Sequence, residues 1–296
     1  MELNHLEEDY CRSTHKTGPA RTLPDTRIEI FRQAGPRRPP EHVLLDFDGT
    51  LSLIREGWTE VMVPMMVEVL QEAGSDESPA DLDRLARDFV AELTGKQTIY
   101  QMIRLAEEVR RRGGAPEEPA AYKQRYHDRL LQRIAGRRDA LRSGAAAPAE
   151  MLVPNSIELL EELRDRGAAL YLASGTDEHY VIEEVQLLGL ERYFGRHVYG
   201  ALDDYKCFSK AMVIQRILAE NRVDGDVLLG FGDGYVEIQN VKAVGGMAIG
   251  VASDEAGRSG LPDHWKRDRL IGVGADVIVP DYRDHGPLLR YLWNEV

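Results

Sequence analysis

The sequence predicts an α/β fold: an open parallel sheet with helices on both faces, interrupted by one all-helical insert. Three observations predict it. From Val43 onward, short apolar runs alternate with helix-length segments, and single-helix crossovers between strands imply parallel pairing. That rhythm breaks once, between about residues 53 and 148, where no good strand occurs and helical stretches follow one another. Loops that follow the apolar runs carry acids, hydroxyls and glycines, as the ligand-binding carboxyl edge of such a sheet does.

In chain order, residues 1–40 form a polar leader broken by Pro19, Pro24, Pro36, Pro39 and Pro40. Its strand candidate, Arg27–Phe31, either adds to a sheet edge or belongs to a disordered Pro-rich segment. Val43-Leu44-Leu45 reads as a buried strand that Gly49-Thr50 ends sharply. The insert offers helices at about 57–72, 79–93, 97–112 and 117–142, with breaks at Gly74-Ser75, Thr94-Gly95 and Gly113–Pro116. Ser143–Pro148 reads as a hinge back to the main body. Then come helix 155–166, strand 168–173, helix 177–188, strand 197–199 and helix 209–221. Strand 227–231, helix 235–244, strand 247–251 and strand 276–279 complete the pattern. The division is a leader (1–40), a core (41–52 and 149–296) and a helical cap (53–148) over the sheet's carboxyl edge.

Composition narrows the function. The 296 residues are 43% hydrophobic and 29% charged, ordinary for a globular protein with ample core. A formal net charge of −13 argues against non-specific nucleic-acid binding. No apolar stretch approaches the ~20 residues of a membrane span. Met1–His5 lacks the basic and apolar regions of a secretory signal. Cys11 and Cys207, far apart, do not suggest a disulfide framework. A cytoplasmic enzyme is expected; the oligomeric state is not indicated.

The strongest local feature is Asp46-Phe47-Asp48-Gly49-Thr50. Residues two apart on a strand share a side, so both carboxylates project into one volume, where they repel. A bound divalent cation, or a division between nucleophile and acid, would justify that placement. Ser174-Gly175-Thr176, at another strand end, offers a hydroxyl and amides suited to a phosphate oxygen, or else a plain N-cap turn. Asp233 leaves a buried strand, and Glu237 lies one helical turn later, on the same face, as a metal-site pair or else as a capping acid and a solvated Glu. Oxygen-only ligands point to a hard cation, Mg²⁺. Either Lys210 or Lys206, near the start of helix 209–221, would supply the cation that such a site needs, or else both are ordinary surface lysines.

Taken together and in this order, these segments resemble the haloacid dehalogenase-like hydrolase superfamily, mostly phosphatases. Asp46–Leu51 matches its first motif, Ala173–Thr176 its second, and Gly232-Asp233 with Glu237 its fourth, although many relatives carry Asp at the Glu237 position. The resemblance covers roughly residues 42–280 and implies a Rossmann-like core with a cap of the C1 type, as in phosphoglycolate and phosphoserine phosphatase-like relatives. It implies Asp46 as nucleophile forming an aspartyl-phosphate and Asp48 as acid and base. Mg²⁺ would be held by Asp46, the Asp48 carbonyl and Asp233, with Glu237 behind them. Ser174, Gly175 and the lysine would hold the transferring oxygens. Lys210 stands directly before its helix as in phosphoserine phosphatase-like relatives and Lys206 a few residues earlier as in phosphoglycolate phosphatase-like ones, and Lys210 is favoured. Relatives that displace halide lack an acid at the Asp48 position, and transport ATPases carry Lys there, so phosphate-ester transfer is favoured. A phosphomutase, or a catalytically silent binding protein on the same fold, is the alternative.

The substrate is then a small phosphorylated metabolite, sugar phosphates being the largest class. Arg55 and Trp58, and the patch Lys96, Gln97 and Thr98, are candidates for specificity or else cap-surface or hinge residues, and His179 reads as a surface helix residue before it reads as a substrate contact. Met62–Val67 reads as cap core or pocket lining. Between Ile103 and Ser143, eleven Arg or Lys face six Asp or Glu, an excess that would steer anions or simply be a solvated helix face.

Overall fold

The computed structural model describes residues 20–32 and 38–295. Pro19, Pro36, Cys11 and most of the expected leader lie outside them; Cys207 is exposed. Strands β1 (Arg21–Thr22), β2 (Glu29–Ile30) and β3 (His42–Leu45) are followed by helices α1 (Thr59–Glu72), α2 (Pro79–Leu93), α3 (Thr98–Arg111) and α4 (Pro119–Ser143). Next come α5 (Ser156–Asp165), β4 (Ala169–Asp177), α6 (Glu178–Leu187), α7 (Glu191–Phe194), β5 (Val198–Ala201) and α8 (Lys210–Asn221). The chain continues through β6 (Leu228–Gly232), α9 (Tyr235–Ala243), β7 (Met247–Val251), α10 (His264–Gly272), β8 (Val277–Val279) and α11 (His285–Leu292).

All eight strands form one sheet in the order β1-β2-β8-β7-β6-β3-β4-β5. From β8 to β5 neighbours run parallel, while β1 and β2 are antiparallel additions at the edge. Strand β3 sits between β4 and β6, so the connections leave it in opposite directions. That is the switch point where an open α/β sheet has a crevice. Asp46 and Asp48 follow directly.

Side-chain alternation sorts the core into two layers. Val43, Leu45, Leu172 and Phe231 pack on one face with Leu159 and Leu163 of α5 and Leu289 of α11. Leu44, Tyr171 and Ala248 pack on the other with Ile214 of α8, Val241 of α9 and Leu270 of α10. The first layer runs on through Phe47, Leu51 and Ile54 into Met62, Met65 and Met66 of α1, so the insert and the sheet share one apolar cluster.

Several expectations need correcting. Ser174-Gly175-Thr176 is not a turn after a strand ending at Ala173; β4 continues to Asp177, with a register irregularity between Ala173 and Asp177. Helices α7, α10 and α11 are additional to the expected elements; α7 spans only four residues, whereas Leu288, Leu289 and Leu292 of α11 fall on one helical face, a signal that was there to read. Only Leu270 and Gly272 of α10 are buried, too few to show a helical period. Of the two readings of Arg27–Phe31, the edge strand forms. Glu29 and Ile30 pair with Ile278 and Val277, and Arg267 forks onto the Glu29 carboxylate at 2.7 and 2.6 Å. Among the described residues, no helix is long and apolar enough to cross a membrane.

Candidate active site

Strand β3 keeps its pairing one residue past its end, because the Asp46 amide donates to the Phe231 carbonyl at 2.9 Å. The chain then turns at Gly49, where φ is +72°. The loop is pinned from three sides. Tyr282 Oη donates to the Thr50 carbonyl (2.8 Å), Ser253 Oγ to the Gly49 carbonyl (2.6 Å), and the Asp233 amide to Thr50 Oγ1 (3.0 Å). A Cβ at Gly49 would lie 2.2 Å from Asp233 Oδ2, so the glycine also lets that carboxylate approach the first loop.

Each aspartate has a cation beside it, and each cation is held by a glutamate. Lys210, first residue of α8 behind the Ser209 cap, donates from Nζ to Asp46 Oδ1 at 2.8 Å and also contacts the Glu237 carboxylate. Lys206 is exposed, with Nζ over the Tyr205 ring, so the structure brings Lys210 and not Lys206 to the site. Arg55 forks onto Glu184 of α6 at 3.1 and 2.9 Å, its Nε 3.7 Å from Asp48 Oδ1. Lys266 of α10 donates to Asp233 Oδ2 (2.7 Å), Glu255 Oε1 (2.5 Å) and Ser253 Oγ (3.1 Å). Sequence reasoning missed Glu184, Glu255 and Lys266. The loop after β7 was open to the same strand-end rule as the others; nothing marked Glu184.

Buried Ser174 and half-buried Gly175 line a cavity of about 100 Å³ together with Asp46, Asp48, Lys210 and Asp233. Thr176 Oγ1 donates to Asp48 Oδ2 at 2.9 Å, and Ser174 Oγ lies 3.4 Å from the same oxygen. Arg55, Trp58, Met62, Lys96 and Thr98 form the opposite wall. A Cβ at Gly175 would meet the Lys96 carbonyl at 2.8 Å, so the insert lies directly on the second loop. Gln97 does not face the cavity. Its buried amide donates to the Tyr205 and Phe208 carbonyls (3.1 and 2.8 Å), clamping the insert to the segment that leads into Lys210. His179 is exposed and packs on Tyr180 rather than in the cavity.

Burial pushes the Asp46 carboxyl up to about 6; Lys210 opposes the rise and Asp233 adds to it. Burial likewise pushes Asp48 up to about 6, opposed by Arg55 and furthered by Glu184. Burial would lower the Lys266 ammonium, but Asp233 and Glu255 outweigh it and raise it. Within these ion pairs six carboxylates thus face three cations, and with Lys96 and Glu56 of the cavity wall added the excess of negative charge remains. A hard divalent cation suits that excess and the all-oxygen donor set. Asp48 Oδ1 is buried without a hydrogen-bond partner among the described residues. Those residues contain no group of three or more His, Cys, Asp or Glu poised around a metal. The expected set of two carboxylates and one backbone carbonyl is not such a group, so the residues fit Mg²⁺ by charge and donor type.

A family model described as haloacid dehalogenase-like hydrolase matches residues 40–245. No curated protein matches. Among solved structures, a β-phosphoglucomutase from Clostridium difficile aligns with TM-score 0.56 at 13% identity, covering 86% of this chain and 98% of that one. A predicted phosphatase from Clostridium acetobutylicum gives TM-score 0.55 at 17% identity over 86% and 99%. A predicted phosphoglycolate phosphatase from Haemophilus somnus 129pt gives 0.53 at 15% over 84% and 97%. At such identities the likeness is one of fold. The chain belongs to the haloacid dehalogenase-like hydrolase family.

Proposed function

We propose that this hydrolase is a Mg²⁺-dependent phosphatase of a small organic phosphate monoester, most simply a sugar phosphate. The observation that carries the reading is that Asp46 and Asp48, two residues apart, have different partners. Asp46 accepts from Lys210, whereas Asp48 accepts from Thr176 and faces Arg55. Asp46 attacks phosphorus and becomes the aspartyl-phosphate. Asp48, pushed up to about 6 and so able to hold or release a proton near neutrality, protonates the departing oxygen. It then takes a proton from the water that hydrolyses the intermediate. Lys210, steadied by Glu237, and Ser174 with the Gly175 amide hold the transferring oxygens. When bound by Asp46, the Asp48 carbonyl and Asp233, Mg²⁺ supplies charge neutralisation at the phosphoryl group. The helical insert serves as a C1-type cap that excludes water and sets specificity through Trp58 and Lys96.

The test is a panel of phosphate esters with Mg²⁺, followed by release of inorganic phosphate. Release that EDTA and Asp46→Asn both abolish is expected. Robust activity in EDTA, or in the Asn variant, would sink the mechanism. Isomerisation of a sugar phosphate without net phosphate release would identify a phosphomutase instead.

A further inference from the structure

Arg55 is built differently from the two lysines. It lies in the loop between β3 and α1, and both Nε and Nη2 are committed to Glu184, at 3.1 and 2.9 Å. Glu184 is completely buried on α6, and Tyr180 of the same helix covers the guanidinium at 5.5 Å from its ring centre. A buried glutamate is costly unless paired, so the two form a unit. A bidentate fork stacked on an aromatic face has little freedom to follow a substrate. Its other acidic neighbour is Asp48, with Nε 3.7 Å from Oδ1, too long for a hydrogen bond, while Tyr126 and His127 stand near it as well. Oδ2 of Asp48 accepts from Thr176 at 2.9 Å, while Oδ1 has no hydrogen-bond partner among the described residues.

We propose that the Glu184–Arg55 pair is a positioning device for Asp48, holding its carboxyl so that Oδ1 carries the proton to the leaving group. This rests on the phosphatase reading above. In the step concerned, an Asp46 oxygen bonds to phosphorus and the bond from phosphorus to the ester oxygen breaks. The electron pair stays on that oxygen, which takes the proton from Oδ1. Asp48 is left as a carboxylate facing Arg55, and Thr176 keeps Oδ2 out of the transfer.

A leaving-group series tests it. With Mg²⁺ present, kcat/KM is measured for 4-nitrophenyl phosphate, phenyl phosphate and an alkyl phosphate, on the wild type, Glu184→Gln and Asp48→Asn. The quantity kcat/KM covers the steps through departure of the alcohol, and 4-nitrophenolate departs without a proton. Glu184→Gln should lose about 100-fold on the alkyl ester and under about 3-fold on the nitrophenyl ester, the same pattern as Asp48→Asn in milder form. The ratio between esters is read on a single preparation, so partial unfolding of the variant leaves it unchanged. Equal loss on all esters, or no loss, overturns the proposal. An Asp48→Asn variant that loses equally on all removes Asp48 as the acid and overturns the proposal with it, whereas a wild type inactive on every ester overturns the phosphatase reading itself.

Discussion

Two groups of ion pairs in this molecule lie in opposite surroundings. On the insert, Arg125, Arg129, Arg133 and Arg137 of α4 face Glu72, Glu68, Glu60 and Glu56 on or just before α1. The residues step along the two helices in opposite directions, an antiparallel zip of pairs that lie at the surface except for half-buried Arg137 and Glu56 beside the cavity. At the sheet edge, Lys210, Arg55 and Lys266 are sunk among six carboxylates, with Lys210 and Glu237 only 1% and 2% exposed. Pairs in water contribute little, whereas buried charges cost several kcal/mol each unless well matched. The zip balances itself; the site does not, since its acids outnumber its cations. The basic excess of the insert is therefore largely spent on alignment and offers little for steering substrate. The unbalanced charge sits where phosphoryl chemistry would use it.

The largest expected effects lie at the site. Asp46→Asn should lower phosphate release roughly 10⁴-fold or more, and added Mg²⁺ should not restore it. Lys210→Ala should cost about 10²–10³-fold in kcat, again without rescue by metal. Lys266→Met differs, because its partner Asp233 is the proposed metal ligand rather than the nucleophile. Its kcat at saturating Mg²⁺ should stay within about 5-fold of wild type. Its Mg²⁺ dissociation constant, from calorimetry on the metal-free protein, should rise about 10-fold as Asp233 loses its support. Tighter Mg²⁺ binding would instead show that the ammonium competes with the metal for Asp233.

Much of this site was legible because its residues stand beside backbone signals. Asp46, Asp48 and Asp233 follow buried strands, and Lys210 opens a helix behind a capping serine. Glu184 shows why the rest was not. Its neighbour Glu183 is the same residue type, yet Glu183 reaches Arg142 at 2.5 Å on the surface while Glu184 is sealed against Arg55. A helix turns about 100° per residue, and only docking of the insert decides which of the two is buried. Lys266 was hidden because α10 has almost no apolar face. Gln97 was misjudged because its position at a helix start gives no hint that the Tyr205 and Phe208 carbonyls would claim its amide.

A middle-sized effect separates function from stability within the site. Asp48 is held at about 6 against an ordinary 3.8. Between those values the folded chain keeps a proton that the unfolded chain has released. The group's contribution to stability therefore falls as pH rises from about 4 to about 6, and stays unfavourable above. Asp48→Asn should raise the Tm of the metal-free protein by a few degrees at pH 7.5, with the gain gone near pH 4. Thermal scans in EDTA at the two pH values measure this. A lower Tm at both would mean that the hydrogen bond from Thr176 outweighs the relief of charge.

The smallest effect is expected on the insert. Arg129 and Glu68 meet at 2.7 Å, but their side chains are 39% and 50% exposed. Water and salt screen such a pair, and ordering two long side chains offsets most of what remains. Arg129→Ala should therefore change unfolding free energy by less than about 0.5 kcal/mol in urea titration. Raising the salt concentration should shrink even that difference, and kcat/KM should not move. A cost above about 1.5 kcal/mol, or a change in KM, would mean that the zip acts as one network holding α4 over the cavity. The contrast between the two regions would then be one of degree, because charge on the insert would be shaping the site as well.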